Sequence, residues 1–236
     1  MPSQVNSAVP GDVPPAQART AIRVVVRPLG NPMPLGMFSF GIGMLLLAAQ
    51  SAQWVPLSET MQIGILLAAF VFPLEGLATV MAFVARDTLA ATVLGLFTTS
   101  WLALGLVLIT GTPGAISTTE GIYLLGFAAA VASLALIASA GKPLVALTLV
   151  LSATRAILFG LYEVTRTASL EHAAGYVAAA IAAVAWYSGT AFAVEEVRGR
   201  PLLPVLRRGS SAVAVSDDLP RQLSDARREP GVRSQL

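Results

Sequence analysis

Two formally charged residues lie deep within long apolar runs of this 236-residue chain: Glu75, in Phe72-Pro73-Leu74-Glu75, and Arg155, within the run from Pro143 to Val164. A charge at the centre of a lipid layer costs at least ~2.5 kcal/mol on insertion scales, so each needs a partner or a watery path. At 1.5 Å per helical residue, Glu75 lies roughly 16 Å from a helix end near Arg86 and Arg155 roughly 19 Å from Lys142. The matched depths make a salt bridge feasible. Two readings stay open: the pair neutralises itself, or it handles a solute or a proton. A functional Arg155 favours an anion and disfavours a cation. Pro73 cannot donate to the carbonyl of Ala69, so a kink with a spare carbonyl is expected beside Glu75.

The remaining reactive groups offer less. His172, the sole histidine, falls in a connector beside Glu171. One imidazole without cysteines makes no metal site, which leaves it a candidate pH-sensitive outer gate. Glu163 reads as interfacial. Lys142, the sole lysine, lies at a membrane boundary, which excludes a buried Schiff base. Cysteine is absent, removing disulfides, thiolate metal sites and cysteine nucleophiles. With no Ser-His-Asp constellation, phosphate-cradling glycine loop or zinc-protease helix, enzymatic activity is not expected. No cofactor, metal or nucleic-acid partner is implied.

The elements that must hold these residues are apolar and long. The chain is 55% hydrophobic and 12% charged, with a mean hydropathy of +0.73, whereas soluble domains carry about 25% charge. Runs of about 20 residues cross a ~30 Å lipid core. Six qualify: Pro34 to Val55, Met61 to Ala85, Thr88 to Thr110, Gly121 to Ala140, Pro143 to Val164 and Ala173 to Val197. The expected fold is an all-α integral membrane protein, six transmembrane helices in a compact bundle over residues 31–197. Residues 1–30 and 198–236, rich in Pro, Ser and Arg, read as largely disordered tails. The opening residues show no signal-peptide pattern, so the first span is expected to serve as the insertion signal.

Basic residues set orientation. Arg19, Arg23 and Arg27 precede the first run, Arg86 and Lys142 occupy alternate connectors, and an arginine-rich tail begins at Arg198; the opposite connectors carry Arg166 alone. Both tails are therefore expected in the cytoplasm and the chain in the cell membrane. Arg207 and Arg208 form a solvated tail or approach anionic headgroups. Small residues recur at packing intervals, Gly36, Ser39 and Gly43 in the first run and Gly175, Ala179 and Ala183 in the last. These are faces for packing within one bundle or between copies. Phe40 shares the first face, as a constriction or as a groove filler. Before it, Asn31-Pro32-Met33-Pro34-Leu35-Gly36 makes a proline-broken mouth with spare backbone groups.

The stretch NPMPLGMFSF, Asn31 to Phe40, resembles the NPAPLGL-type signature of the acetate uptake transporter family, which includes the succinate-acetate permeases. Trp101, Gly121-Ile122-Tyr123 and Gly199-Arg200-Pro201-Leu202-Leu203-Pro204 resemble later family motifs in order and spacing. The resemblance, over about Asn31 to Pro204, implies a homohexamer of six-helix protomers, each with its own path for small monocarboxylates and in some members succinate. It implies a waist of three side chains falling on Phe40, Phe97 and either Leu151 or Ser152, with Trp101 beside them. Phe40, Phe97 and Leu151 come out at similar depths of roughly 13 to 15 Å. The chain differs from the family in having Phe97 for a tyrosine, Asp87 for an asparagine and Glu75 for a glutamine, and Arg155 has no matching position.

The expected function is a transporter or anion channel for acetate or a similar small carboxylate, with proton symport as one option. Asn31, Pro32, Pro34, Leu35 and Gly36 would form the mouth; Phe40, Phe97, Leu151 and Trp101 the constriction; Glu75 and Arg155 the charge or proton site. The lipid bilayer, the solute and further copies of the chain are the expected partners. The alternatives are a membrane interaction or scaffold protein acting through helix faces and basic tail, and a channel for a small neutral solute in which Glu75 silences Arg155.

Overall fold

A backbone in lipid must satisfy its own polar groups, which leaves helices or closed barrels, and the described chain takes the helical solution. The structure, a computed structural model, describes residues 30–200, 202–209 and 212. Residues 1–29, 210, 211 and 213–236, which make up most of the sequences read as disordered tails, and Pro201 of the final motif, lie outside the described residues, whereas 202–209 are described and pack on the bundle. Among the described residues, six helices are long and apolar enough to cross a membrane: α1 (Met33–Ser51), α2 (Leu57–Val84), α3 (Thr88–Thr110), α4 (Thr118–Ser139), α5 (Pro143–Thr165) and α6 (Ala168–Arg198). This is an all-α integral membrane fold.

Local chemistry explains the helix ends. Asn31 Oδ1 accepts from Met33 N (3.0 Å) ahead of α1, Asp87 Oδ1 from Ala90 N (3.0 Å) at α3 and Ser117 Oγ from Glu120 N (3.2 Å) at α4, each satisfying a first-turn donor. Gly199 closes α6 at φ 64°, a left-handed stop that glycine adopts without strain. α1 ends at Ser51 and the chain turns through Gln53 at φ 57°, so the apolar run to Val55 is not helical throughout. α6 starts at Ala168, taking in Glu171 and His172, because hydropathy marks lipid contact and not helix limits.

Near Pro73, where a kink with a spare carbonyl is expected, the helix departs from α geometry. α2 passes through a π-helical turn, Leu67–Val71, before resuming as α-helix at Phe72. A π turn inserts an extra residue, and the buried positions Leu67, Val71 and Glu75 follow one another four apart across it.

Packing runs as a ring: α1 on α6, α6 on α5, α5 on α4, and on the other side α1 on α2 and α2 on α3. The ring is slackest between α3 and α4. Three places bring backbones together through glycine: a Cβ on Gly64 would lie 2.7 Å from the Gly105 carbonyl oxygen, one on Gly121 2.8 Å from that of Gly160, and one on Gly175 2.6 Å from Ala52 N at the end of α1. Such approach replaces the hydrophobic drive that lipid does not supply between helices.

One end of the bundle carries the α2–α3 and α4–α5 connectors, the start of α1 and the end of α6. There Lys142 pairs with Asp87, the Arg208 N–H donates to the Gly141 carbonyl (3.0 Å), and Tyr187 Oη donates to the Pro204 carbonyl (2.9 Å). Arg207 turns inward to Glu195 and lies over the Phe192 ring (5.7 Å).

Candidate functional site

At the opposite end, where the α1–α2, α3–α4 and α5–α6 connectors meet, the bundle opens into a cavity of about 140 Å³. A cavity needs about 10–15 Å³ of such volume per water, so this one holds several waters or a small solute. Its walls include the 111–117 connector, Tyr162 and three carboxylates, Glu120, Glu163 and Glu171, with Arg155 deepest among its charged groups. Glu163 is committed elsewhere, accepting from Ser117 N (2.6 Å) and so pinning the connector. His172, the candidate gate, lies against the Ala168 carbonyl (2.9 Å) and lines neither this cavity nor the next.

Arg155 stands where the cavity narrows into a second cell. Its side chain is 4% exposed, its guanidinium carbon lies 5.3 Å from the Phe159 ring centroid, and its Nε–H has no acceptor. No carboxylate among the described residues lies within ion-pair distance of it. A buried guanidinium with a free donor, backed by a ring and opening onto solvent, is built to receive an anion's oxygen.

The second cell measures about 10 Å³, room for about one water. Arg155, Ser100 and Ser152 supply its polar wall, and Phe97, Trp101 and Phe127 its aromatic one. Phe97 meets Phe127 edge-on at 5.0 Å, and Phe40 sits behind the cell, 4.8 Å from Phe97 and 5.9 Å from Trp101. Leu151 is half-buried and outside the lining, while Ser152 is buried and lines the cell. Consecutive residues on a helix point about 100° apart, which separates the two positions that sequence spacing could not.

Glu75 and Arg155 do not pair with each other. α2 packs on α1 and α3, whereas α5 packs on α4 and α6, so equal depth leaves them on different walls. Glu75 is fully buried and lines neither cavity; its Oε2 accepts from Trp101 Nε1–H at 2.6 Å, and its Oε1 has no partner.

The mouth residues Asn31, Pro32, Pro34 and Leu35 are half-buried at the tail-bearing end, and Leu35 packs on Ala78, Ala82 and Leu94. The small face of α1 is occupied by neighbours and leaves no gap: Leu94 fills the space at Gly36 and the Trp101 indole that at Gly43. Glycine there admits a neighbouring ring, the groove-filling arrangement.

Sequence reasoning missed Phe127 and Ser100 in the cell, and Glu120 in the outer cavity. Phe127 and Ser100 belong to uninterrupted apolar runs with no local signal. Glu120, at a span boundary, is marked only by the preceding Ser117-Thr118-Thr119, which makes it the last position of a Ser-x-x-Glu helix start.

A model of the GPR1/FUN34/yaaH family matches residues 15–199 of the chain. No curated protein sequence matches it. Among solved structures, that of the bacterial acetate channel SatP is similar, at 22% identity and TM-score 0.67, covering 75% of this chain and 99% of that one. At this identity the likeness establishes the fold.

Proposed function

The chain belongs to the GPR1/FUN34/yaaH family, and on that premise we propose that it is a membrane channel or permease for acetate and similarly small carboxylates, the solute class named for SatP. One observation carries the reading: Arg155, buried and without an ion-pair partner, stands between a cavity large enough for a solute and an aromatic cell the size of one water. Carboxylic acids titrate near 4.3, so at neutral pH they are mostly anions. An anion leaving water loses hydration, which charge-assisted hydrogen bonds replace. The Arg155 guanidinium offers these, Ser100 and Ser152 line the same cell, with the Ser152 hydroxyl donating to the Thr148 carbonyl (2.8 Å), and Phe97, Trp101, Phe127 and Phe40 exclude bulk further in. From there the solute leaves past Asn31, Pro32, Pro34, Leu35 and Gly36.

A single cation at the narrowing matches one carboxylate, so monocarboxylates pass faster than succinate. Coupling to protons would run through Glu120, which lines the outer cavity, and not through Glu75, which lines neither. The neutral-solute alternative required Glu75 to silence Arg155, and the absence of an ion pair between them counts against it. The scaffold alternative acts through helix faces and the basic tail, and of that tail Arg207 is engaged with Glu195. Arg86, Lys142 and Arg198 cluster at the tail-bearing end, which we take as cytoplasmic. Ile122, Leu136 and Ile137 of α4 face outward, toward lipid or toward the other copies of the hexamer that the family resemblance implies.

Proteoliposomes containing the purified protein test this with labelled acetate, propionate and succinate. Uptake down an acetate gradient, equal in wild type and Glu120→Gln, supports a channel. Uptake that follows an imposed pH gradient and is lost in Glu120→Gln supports symport. Wild-type vesicles that take up no more carboxylate than empty ones, under any gradient, reject the proposal.

A further inference from the structure

We infer that Glu75 is a positioning residue that sets the size cut-off of the path by pinning Trp101, so that the fully buried carboxylate acts on solutes it never touches. The inference builds on the path proposed above. Three contacts hold the indole. Its Nε1–H donates to Glu75 Oε2 at 2.6 Å; its six-membered ring lies where a Cβ on Gly43 would come within 2.9–3.1 Å; and the Phe40 ring meets it at 5.9 Å with planes 64° apart. Only the first of these is a directional hydrogen bond, since ring edges slide against one another at little cost.

Trp101 is also a wall of the second cell, 2% exposed and the largest side chain buried so completely. That cell has room for about one water, so any solute larger than water passes only when a wall moves. Phe97 and Phe127 show ring contacts and no polar bond, because phenylalanine has no donor to anchor it. The cell therefore opens on the Phe97 and Phe127 side while the indole stays fixed. The span of that one-sided opening is the cut-off. Without its acceptor, Trp101 becomes a second movable wall and the opening widens.

The construction of α2 supports this assignment. A π-helical turn ends at Val71, immediately before Phe72-Pro73-Leu74-Glu75, and Glu75 continues the buried line through Leu67 and Val71 toward α3. Glu75 meets none of the other polar side chains described here through its carboxylate, and its Oε1 is without partner. Stabilising α2 by itself would not require a buried carboxylate at this place.

The test compares Glu75→Gln, which keeps an acceptor oxygen of nearly the same reach, with Glu75→Leu, which keeps the volume and loses the acceptor. Permeation of formamide, acetamide and butyramide into proteoliposomes reads the cut-off with neutral probes, so it does not depend on carboxylate being the cargo. Glu75→Leu should raise the butyramide-to-acetamide ratio about tenfold, the factor carried by losing one strong hydrogen bond. Glu75→Gln should stay within about twofold of wild type, because Gln still accepts from the indole. Trp101→Phe should widen the path like Glu75→Leu, and the double variant should be no wider than either single one, as expected for residues acting as a unit.

With Trp54 and Trp186 both replaced by Phe, Trp101 is the only tryptophan left of three. Its fluorescence anisotropy should fall in Glu75→Leu and hold in Glu75→Gln, a readout that needs no transport at all. An unchanged ratio in Glu75→Leu, an equal widening in Glu75→Gln, or unchanged anisotropy would each overturn the inference. Wild type that passes amides with this pattern but no carboxylate would reject the proposed solute and leave the pin standing.

Discussion

Replacing Arg155 by Gln should separate transport from stability. The guanidinium is 4% exposed, stacked over Phe159 at 5.3 Å, with a free Nε–H and no ion-pair partner. A charge-assisted hydrogen bond contributes about 1.5–3 kcal/mol, so its loss should raise the apparent acetate KM about 10- to 150-fold. For stability the terms oppose each other. Removing the cation forfeits about 0.5–2 kcal/mol of ring contact and relieves up to about 2.5–3.5 kcal/mol of burying a charge that has no ion-pair partner. The Tm in detergent should hold or rise. Arg155→Lys should fall between, keeping the charge while losing the planar fork and the stacking. Labelled-acetate uptake across a concentration series, with a thermal melt on the same preparations, is the assay. Less than a threefold change in apparent KM would refute the reasoning, as would a transport loss that tracks a falling Tm.

Three further predictions concern the frame. Arg207→Ala strands Glu195, whose side chain is 12% exposed against 18% for Arg207, and should lower stability by about 1–3 kcal/mol, between the values for surface and buried pairs; a melt of Glu195→Gln/Arg207→Ala should recover part of it. The Asp87–Lys142 pair is 35% and 30% exposed, so Lys142→Ala should cost under about 1 kcal/mol, whereas Asp87→Ala also removes the α3 cap and should cost about 0.5–2 kcal/mol more, with Asp87→Asn close to wild type. Gly121→Val drives a side chain into the Gly160 carbonyl, 2.8 Å from the first added carbon, and should destabilise by about 1–3 kcal/mol or more, read as a lower Tm; an unchanged Tm would mean that α4 and α5 separate without strain.

Much of the architecture was legible in composition, because lipid imposes one rule on every span: enough apolar length and a self-satisfied backbone. Six runs of that kind, and the motif at Asn31 to Phe40, were enough to identify fold and family. The candidate site was less legible, and the reason differs by residue. The depth of Glu75 and Arg155 follows from counting, but the wall each occupies depends on how the ring closes, and matched depth suggested a pairing that α2 and α5 do not make. Leu151 against Ser152 is a question of helix phase, which a distant motif cannot count to within one residue. Gly36 and Gly43 read as part of a packing face, but a small residue records only that something approaches and not what, here Leu94 and Trp101. The π turn in α2 arises where Pro73 withdraws a donor, and nothing in Leu67–Val71 itself announces it.

The one-water cell has a consequence for the energy economy of the membrane that holds this protein. Protons cross membranes by hopping along unbroken files of water, far faster than any solute moves. A cell of about 10 Å³ walled by Phe97, Trp101 and Phe127 narrows such a file to about one water, and the fixed positive charge of Arg155 at its edge repels hydronium, as an arginine does in water-selective pores. A path built this way can stand closed in a charged membrane without short-circuiting it. On the function proposed above, it opens when an organic anion displaces the water and meets the cation.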